Sequence, residues 1–169
     1  ILSPVFSLVK NKSEIRKEVD DLNGKNAFSF YSNLNKRALN TTNALTMLVN
    51  APEAKQVLSQ ALLFAQAKEK MGQRRGKVNA VLAASAISDP VRQQVLAYTN
   101  ETNYIEEKLK LNLDGDALIG FQALMKSVTS NQVNQIVREI TSDNPVFSSL
   151  PTNSEWFSLA SEQIGGIAA

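Results

Sequence analysis

The chain has 169 residues, of which 43% are hydrophobic and 20% charged, a composition typical of a globular domain rather than a disordered segment. It contains neither cysteine nor histidine, which excludes disulfides, thiolate nucleophiles, histidine-based catalytic triads and the usual zinc sites. Because the sequence also offers no cluster of carboxylates, we predict a protein that is not an enzyme and has no catalytic residues, metal or cofactor. An enzyme that uses lysine or aspartate is the remaining enzymatic alternative.

The positive charge is concentrated in one segment. The net charge of +2 is too small to predict nucleic-acid binding. Between residues 68 and 77, however, five cations accompany one anion; the cations are Lys68, Lys70, Arg74, Arg75 and Lys77, and the anion is Glu69.

Apolar residues recur at steps of three and four along almost the whole chain, which predicts helices that face a core. In chain order, the predicted helices cover residues 14–22, 26–50, 52–86, 89–112, 116–125 and 131–141, followed by one that opens at Asn153 or Ser154. Pro52 and Pro90 fall in predicted first turns, where a missing N–H costs little. Asp89 is the predicted cap before Pro90.

These long helices and short connections predict an all-α, up-and-down bundle with long antiparallel helices, formed by residues 1–169 as one domain. No run approaches the roughly 18 apolar residues that cross a bilayer. The opening segment Ile1–Phe6 is too short and uncharged for a signal peptide. We therefore interpret the chain as a piece of a longer protein, in which residues 153–169 lead toward a following segment.

The helix at 52–86 carries the most informative pattern. Its predicted core-facing stripe comprises Leu58, Leu62, Ala65, Gly72, Gly76 and Ala83. Arg74, Lys70 and Lys77 then point elsewhere and are expected to be solvated. The aromatic residues on helical stripes, which are Tyr31, Tyr98, Phe121 and Trp156, are expected in the core.

Arg75 lies beside that stripe and has no carboxylate at helical-pair spacing. A partly buried guanidinium needs a counter-charge from another helix or from a bound anion, and its planar fork of donors matches a planar oxyanion. Lys68, one repeat away, supplies a second cation. Gly72 and Gly76 are costly inside a helix unless a ligand or backbone comes close. Close helix packing, a carboxylate on a neighbouring helix or a solvated basic face are the structural alternatives.

The same segment resembles a known family. Lys68-Glu69-x-x-Gly72-x-x-Arg75-Gly76 is similar to the Lys-Glu-x-x-Gly-x-Glu-Arg-Ala signature of the nitrate- and nitrite-sensing (NIT) domain. Further similarity lies in Phe30–Asn35, which resembles the family's Tyr-x-x-Leu-Asn helix start, and in Trp156–Ala160, which resembles its Trp-containing segment. The resemblance covers residues 26–167. Arg74 and Gly76 depart from the signature, and the family's N-terminal, arginine-bearing helix has no match.

The resemblance implies an all-helical sensory domain of a bacterial receptor, commonly periplasmic and dimeric, in a parent protein anchored in the inner membrane. A methyl-accepting chemotaxis receptor is the expected type, and cytoplasmic members also exist. The implied ligand is nitrate, nitrite or a similar small anion, bound by Arg75 with Lys68, Glu69, Gly72 and Gly76 as the other site residues. The alternative is a ligand-free helical module for dimerisation or interaction.

Overall fold

A computed structural model describes residues 9–21 and 26–167, and its regular elements within those ranges are helical. They are α1 (Lys12–Asp20), α2 (Ala27–Met47), α3 (Pro52–Ala84), α4 (Asp89–Asn112), α5 (Gly115–Met125), α6 (Val128–Thr141), a 3-10 turn (Phe147–Ser149) and α7 (Asn153–Gly166). The predicted all-α helical bundle is confirmed. The opening segment and the predicted helix end at Leu22 lie outside the described residues.

The chain divides into two compact units, residues 1–65 and 66–169. In the first unit α1 packs against α2. Thr46 and Leu62 are the buried residues among those that the structure describes there, so this unit has few fully covered side chains. None of the described helices is both long and apolar enough to cross a membrane.

The hydrophobic core of the second unit is centred on α6. This helix packs against α4, α5 and α7, and its buried face repeats at steps of three and four. Each fully buried valine, leucine or isoleucine contributes roughly 1.5–3 kcal/mol relative to an exposed position. The core cluster comprises Val78, Val81, Leu82, Val95, Val133, Val137, Ile140, Trp156 and Ala160.

The predicted core-facing stripe of α3 is wrong at every position except Leu62. Leu58, Ala65 and Ala83 are exposed, and Gly72 and Gly76 are only half-buried. The buried positions are Leu62, Ala67, Met71, Arg74, Val78, Val81 and Leu82. The prediction counted glycine and alanine as apolar, although they bring little or no side chain to bury. The larger residues Met71 and Val78 determine which side of α3 faces the core.

Serine and threonine side chains determine where two of the helices begin. The Ser127 side chain accepts a hydrogen bond from the Ser130 N–H at 3.1 Å, so α6 begins three residues before the predicted Asn131. Thr152 and Glu155 form a reciprocal capping box at α7. Asp89, the predicted cap of α4, is instead its first helical residue, and Ser88 occupies the cap position.

Replacing Thr152 with alanine is expected to lower the free energy of unfolding by about 1 kcal/mol, because the capping hydroxyl is lost. Its hydrogen bonds also lower the pKa of the Glu155 carboxyl. A lowered carboxyl pKa stabilises the fold above the ordinary pKa, and this contribution is lost as the pH falls. Urea unfolding at pH 7 and pH 3 measures both effects. Thr152→Ser keeps the hydroxyl and should match the wild type; equal stability of the alanine variant would contradict the prediction.

Candidate functional site

Arg75 on α3 is held against α7 through both its side chain and its backbone. Its Nη1 donates a hydrogen bond to Ser161 Oγ at 2.7 Å, and its guanidinium carbon lies 4.3 Å from the centroid of the Phe157 ring. The indole Nε1 of Trp156 donates to the Arg75 carbonyl oxygen at 3.0 Å. The Trp-containing segment identified from sequence therefore lies directly on the helix that carries the basic motif.

Part of the Arg75 guanidinium has no partner in the described part of the chain. Its Nε is buried without a hydrogen bond, and Arg75 forms no ion pair with a described carboxylate. Nε and Nη2 lie on one edge of the planar group, whereas Ser161 binds at Nη1, outside that edge. A buried donor without a partner costs about 1–3 kcal/mol. The free edge is therefore suited to an acceptor with two oxygens.

A groove lies beside Arg75, with a volume of about 540 Å³. It is lined by Asn79, Asn153, Ser154, Phe157, Ser158 and Ser161. Asn79 is one helical turn beyond Arg75, and its Oδ1 is buried without a described partner. The lining offers hydroxyl and amide groups and no carboxylate. Because a side-chain amide can flip by about 180°, Asn79 can present either an acceptor or a donor to the groove.

The structure gives less support for the other predicted site residues as anion ligands. Lys68 and Glu69 are half-buried two turns before Arg75, and Glu69 accepts a hydrogen bond from Gln73 Nε2 at 2.7 Å. A Cβ added at Gly72 would meet no atom within 4 Å, so packing against the described chain does not require a glycine there. Gly76 is half-buried. Arg75 makes both hydrogen-bonding and ring contacts to α7.

Arg74 departs most from its predicted position. It was expected to be solvated, but only 2% of it is exposed. Its Nη2 donates to Gln163 Oε1 of α7 at 3.3 Å. Met71 and Val78 lie three residues before it and four after it, and that spacing is the signal that could have identified its burial.

Arg74 is electrostatically coupled to Glu106 of α4, although no ion pair within 4.0 Å joins the two side chains. Burial lowers the pKa of Arg74, and attraction to Glu106 partly opposes this. Burial also raises the pKa of Glu106, against the attraction of Arg74 and Lys110. The two groups thus share a site in which each charge is costly and each partly compensates the other.

The solvated interpretation of Lys70 and Lys77 also needs correction, because both residues are half-buried. Lys70 Nζ forms an ion pair with Glu101 Oε2 of α4 at 2.5 Å and lies 5.7 Å from the centroid of the Tyr98 ring. Lys70 therefore joins α3 to α4. Among the described residues, no group of three or more Asp, Glu, Cys or His could hold a metal ion.

Comparison with known families adds the decisive observation. A family model described as nitrate and nitrite sensing matches residues 3–169. This chain belongs to the NIT family. The match extends upstream of residue 26, where the resemblance was predicted to begin, so α1 and α2 belong to this NIT domain together with the motif helix α3. No curated protein and no solved structure gives a significant match. Membership in this family indicates a nitrate- or nitrite-sensing domain.

Proposed function

We propose that this NIT domain binds nitrate, nitrite or a similar small oxyanion at the Nε–Nη2 edge of Arg75. The observation that carries the proposal is a partly buried guanidinium with an unpartnered donor, beside a groove without acidic lining residues. A trigonal oxyanion can accept from both nitrogens of that edge, which does not include Nη1, where Ser161 binds. The ligand would satisfy a donor that is otherwise costly to bury.

The remaining site residues have graded roles in this proposal. The amide of Asn79, turned so that its nitrogen faces the anion, adds a donor one turn from Arg75. Lys68 contributes positive potential from the same helix. Glu69 and Gly72 match the family signature and Gly76 departs from it, and the proposal does not depend on a contact by any of the three.

The wider setting of the domain is a proposal suggested by the family. We propose a periplasmic sensory domain of a membrane-anchored, homodimeric receptor of the methyl-accepting chemotaxis type. The ligand-free dimerisation module is the second candidate. It is favoured by the exposed apolar residues Met47, Leu48 and Val57 of the first unit. Sedimentation equilibrium tests for the dimer in either case.

Isothermal titration calorimetry with nitrate, nitrite, sulfate and chloride tests the ligand proposal. We expect saturable heat for nitrate or nitrite. Arg75→Ala should weaken that binding about 10- to 100-fold, because a hydrogen bond to a charged group contributes roughly 1.5–3 kcal/mol. Arg75→Lys keeps the charge but loses the planar fork of donors. Its anion affinity is expected to lie between those of the wild type and Arg75→Ala.

Arg138, an exposed arginine on α6, provides the matched control. Arg138→Ala removes the same charge from the chain and should leave the anion affinity unchanged. Equal losses of anion affinity in the Arg75→Ala and Arg138→Ala variants would show that the net charge of the protein causes the effect. That result would contradict the proposed site. No heat for any of the anions, with the dimer intact, would favour the ligand-free module.

A further inference from the structure

The unpartnered donor of Arg75 is closed off by its surroundings. Its Nε is buried, so an anion has no open path to it in this arrangement of the helices. The described contacts of the guanidinium are with Phe157 and Ser161, which both belong to α7. An oxyanion can therefore accept from Nε, and so from both nitrogens of this edge, only after neighbouring atoms have moved.

We infer that α7 is the element through which anion binding is transmitted, and that Phe157 and Ser161 hold it in the closed position. This inference rests on the proposed function, because it assumes that the anion binds at Arg75. A ligand shifts an equilibrium only by its different affinity for the two states. Here the difference arises because Nε is accessible in the open state and buried in the closed one.

The contacts along α7 differ in how easily they can be broken. Phe157 is 47% exposed, so its ring can leave the guanidinium without opening the core. Ser161 accepts from Arg75 and donates to the Phe157 carbonyl oxygen at 2.5 Å, so its hydroxyl can remain satisfied within α7 when Arg75 departs. Trp156 is fully buried and belongs to the core cluster. We therefore expect α7 to pivot about Trp156 while its Phe157–Ser161 face separates from α3.

A residue that closes the site and a residue that binds the ligand respond oppositely to substitution. Closing contacts reduce the apparent affinity, because only the open fraction of molecules binds. Phe157→Ala and Ser161→Ala should therefore tighten nitrate binding, by about 3- to 10-fold each. A residue that contacts the anion gives the opposite result, as Arg75→Ala does.

Calorimetry with nitrate on the full 169-residue chain measures these affinities, with Arg138→Ala as the control. Tighter binding in both α7 variants supports the inference. Unchanged or weaker binding in both, with nitrate still bound by the wild type, overturns it while leaving the proposed function intact. Absence of nitrate binding in the wild type overturns the proposed function itself, so the two failures can be separated.

A distance measurement tests the movement directly. The chain has no native cysteine, so spin labels can be attached at Ala80→Cys on α3 and Gly165→Cys on α7. Ala80 is exposed, and a Cβ at Gly165 meets no atom within 4 Å, so both sites accept a label. Nitrate should lengthen the distance between these two labels or broaden its distribution. The distance between a control pair of labels at Gln94 on α4 and Gln132 on α6 should stay unchanged. Equal distances with and without saturating nitrate would overturn the inference.

Discussion

Replacing Trp156 with alanine is expected to lower the free energy of unfolding by about 3–5 kcal/mol, the usual cost of removing a large aromatic side chain from a core. Trp156 is fully buried among the valines and isoleucine of α3, α4 and α6. The indole also donates to the Arg75 carbonyl oxygen. The substitution therefore leaves a cavity and a backbone oxygen without its partner.

Trp156→Phe separates these two contributions. Phenylalanine retains most of the buried apolar surface but has no N–H, so we expect a smaller loss of about 1–3 kcal/mol. Urea unfolding followed by circular dichroism measures both variants. If the phenylalanine variant were as unstable as the alanine variant, the hydrogen bond would dominate. If the alanine variant lost less than about 1 kcal/mol, Trp156 would not be a core residue.

Replacing Arg74 with glutamate is expected to destabilise the protein by about 3–5 kcal/mol at pH 7, comparable to breaking a buried charge pair. The new carboxylate would lie in a position that is 2% exposed, near the carboxylate of Glu106. Gln163 would also lose the donor that its Oε1 accepts from in the wild type. The family signature has glutamate at this position, so the outcome depends on the neighbours in this chain.

The pH dependence provides an internal check on the Arg74→Glu variant. In this variant, burial and mutual repulsion are expected to raise the pKa of the introduced carboxyl and of the Glu106 carboxyl. Both would lie above the unfolded value of about 4.3 in the folded state. The folded state then binds more protons than the unfolded state, so stability is retained near pH 4 and lost as the pH rises through the raised pKa values. Urea unfolding at pH 4.5 and pH 7 should show the variant approaching the wild type at the lower pH.

Two further variants control for the loss of the arginine itself. Arg74→Met removes the charge without reversing it and should be less destabilising at pH 7. Adding Glu106→Gln to Arg74→Glu removes the repulsion and should recover part of the lost stability. A pH-independent loss, unaffected by Glu106→Gln, would mean that side-chain volume rather than charge is responsible.

The helices were predictable because their signals are local. Proline in the first turn and the three-and-four spacing of apolar residues located α3 and α4 to within a few residues. The start of α6 was missed by three residues because Ser127 was not recognised as its cap. The resemblance carried by Lys68–Gly76 and Trp156–Ala160 identified the family correctly.

The orientation of α3 about its own axis was not predictable in this way. Alternating steps of three and four fit two stripes on this helix, one through Gly72 and Gly76 and one through Met71 and Val78. Choosing between them requires knowing which side chains the neighbouring helices cover. That choice put Arg74 in the interior and left Arg75 at the edge, against Ser161 and Phe157.

The sequence by itself determined the helical class, most of the helix positions and the family, because hydrophobic periodicity, prolines and a short motif are properties of neighbouring residues. The tertiary structure decided which of two adjacent arginines is buried and which retains an unpartnered donor. It also decided that α7 contacts the guanidinium that carries this donor. These features depend on contacts between residues more than 80 positions apart, and no local pattern specifies them.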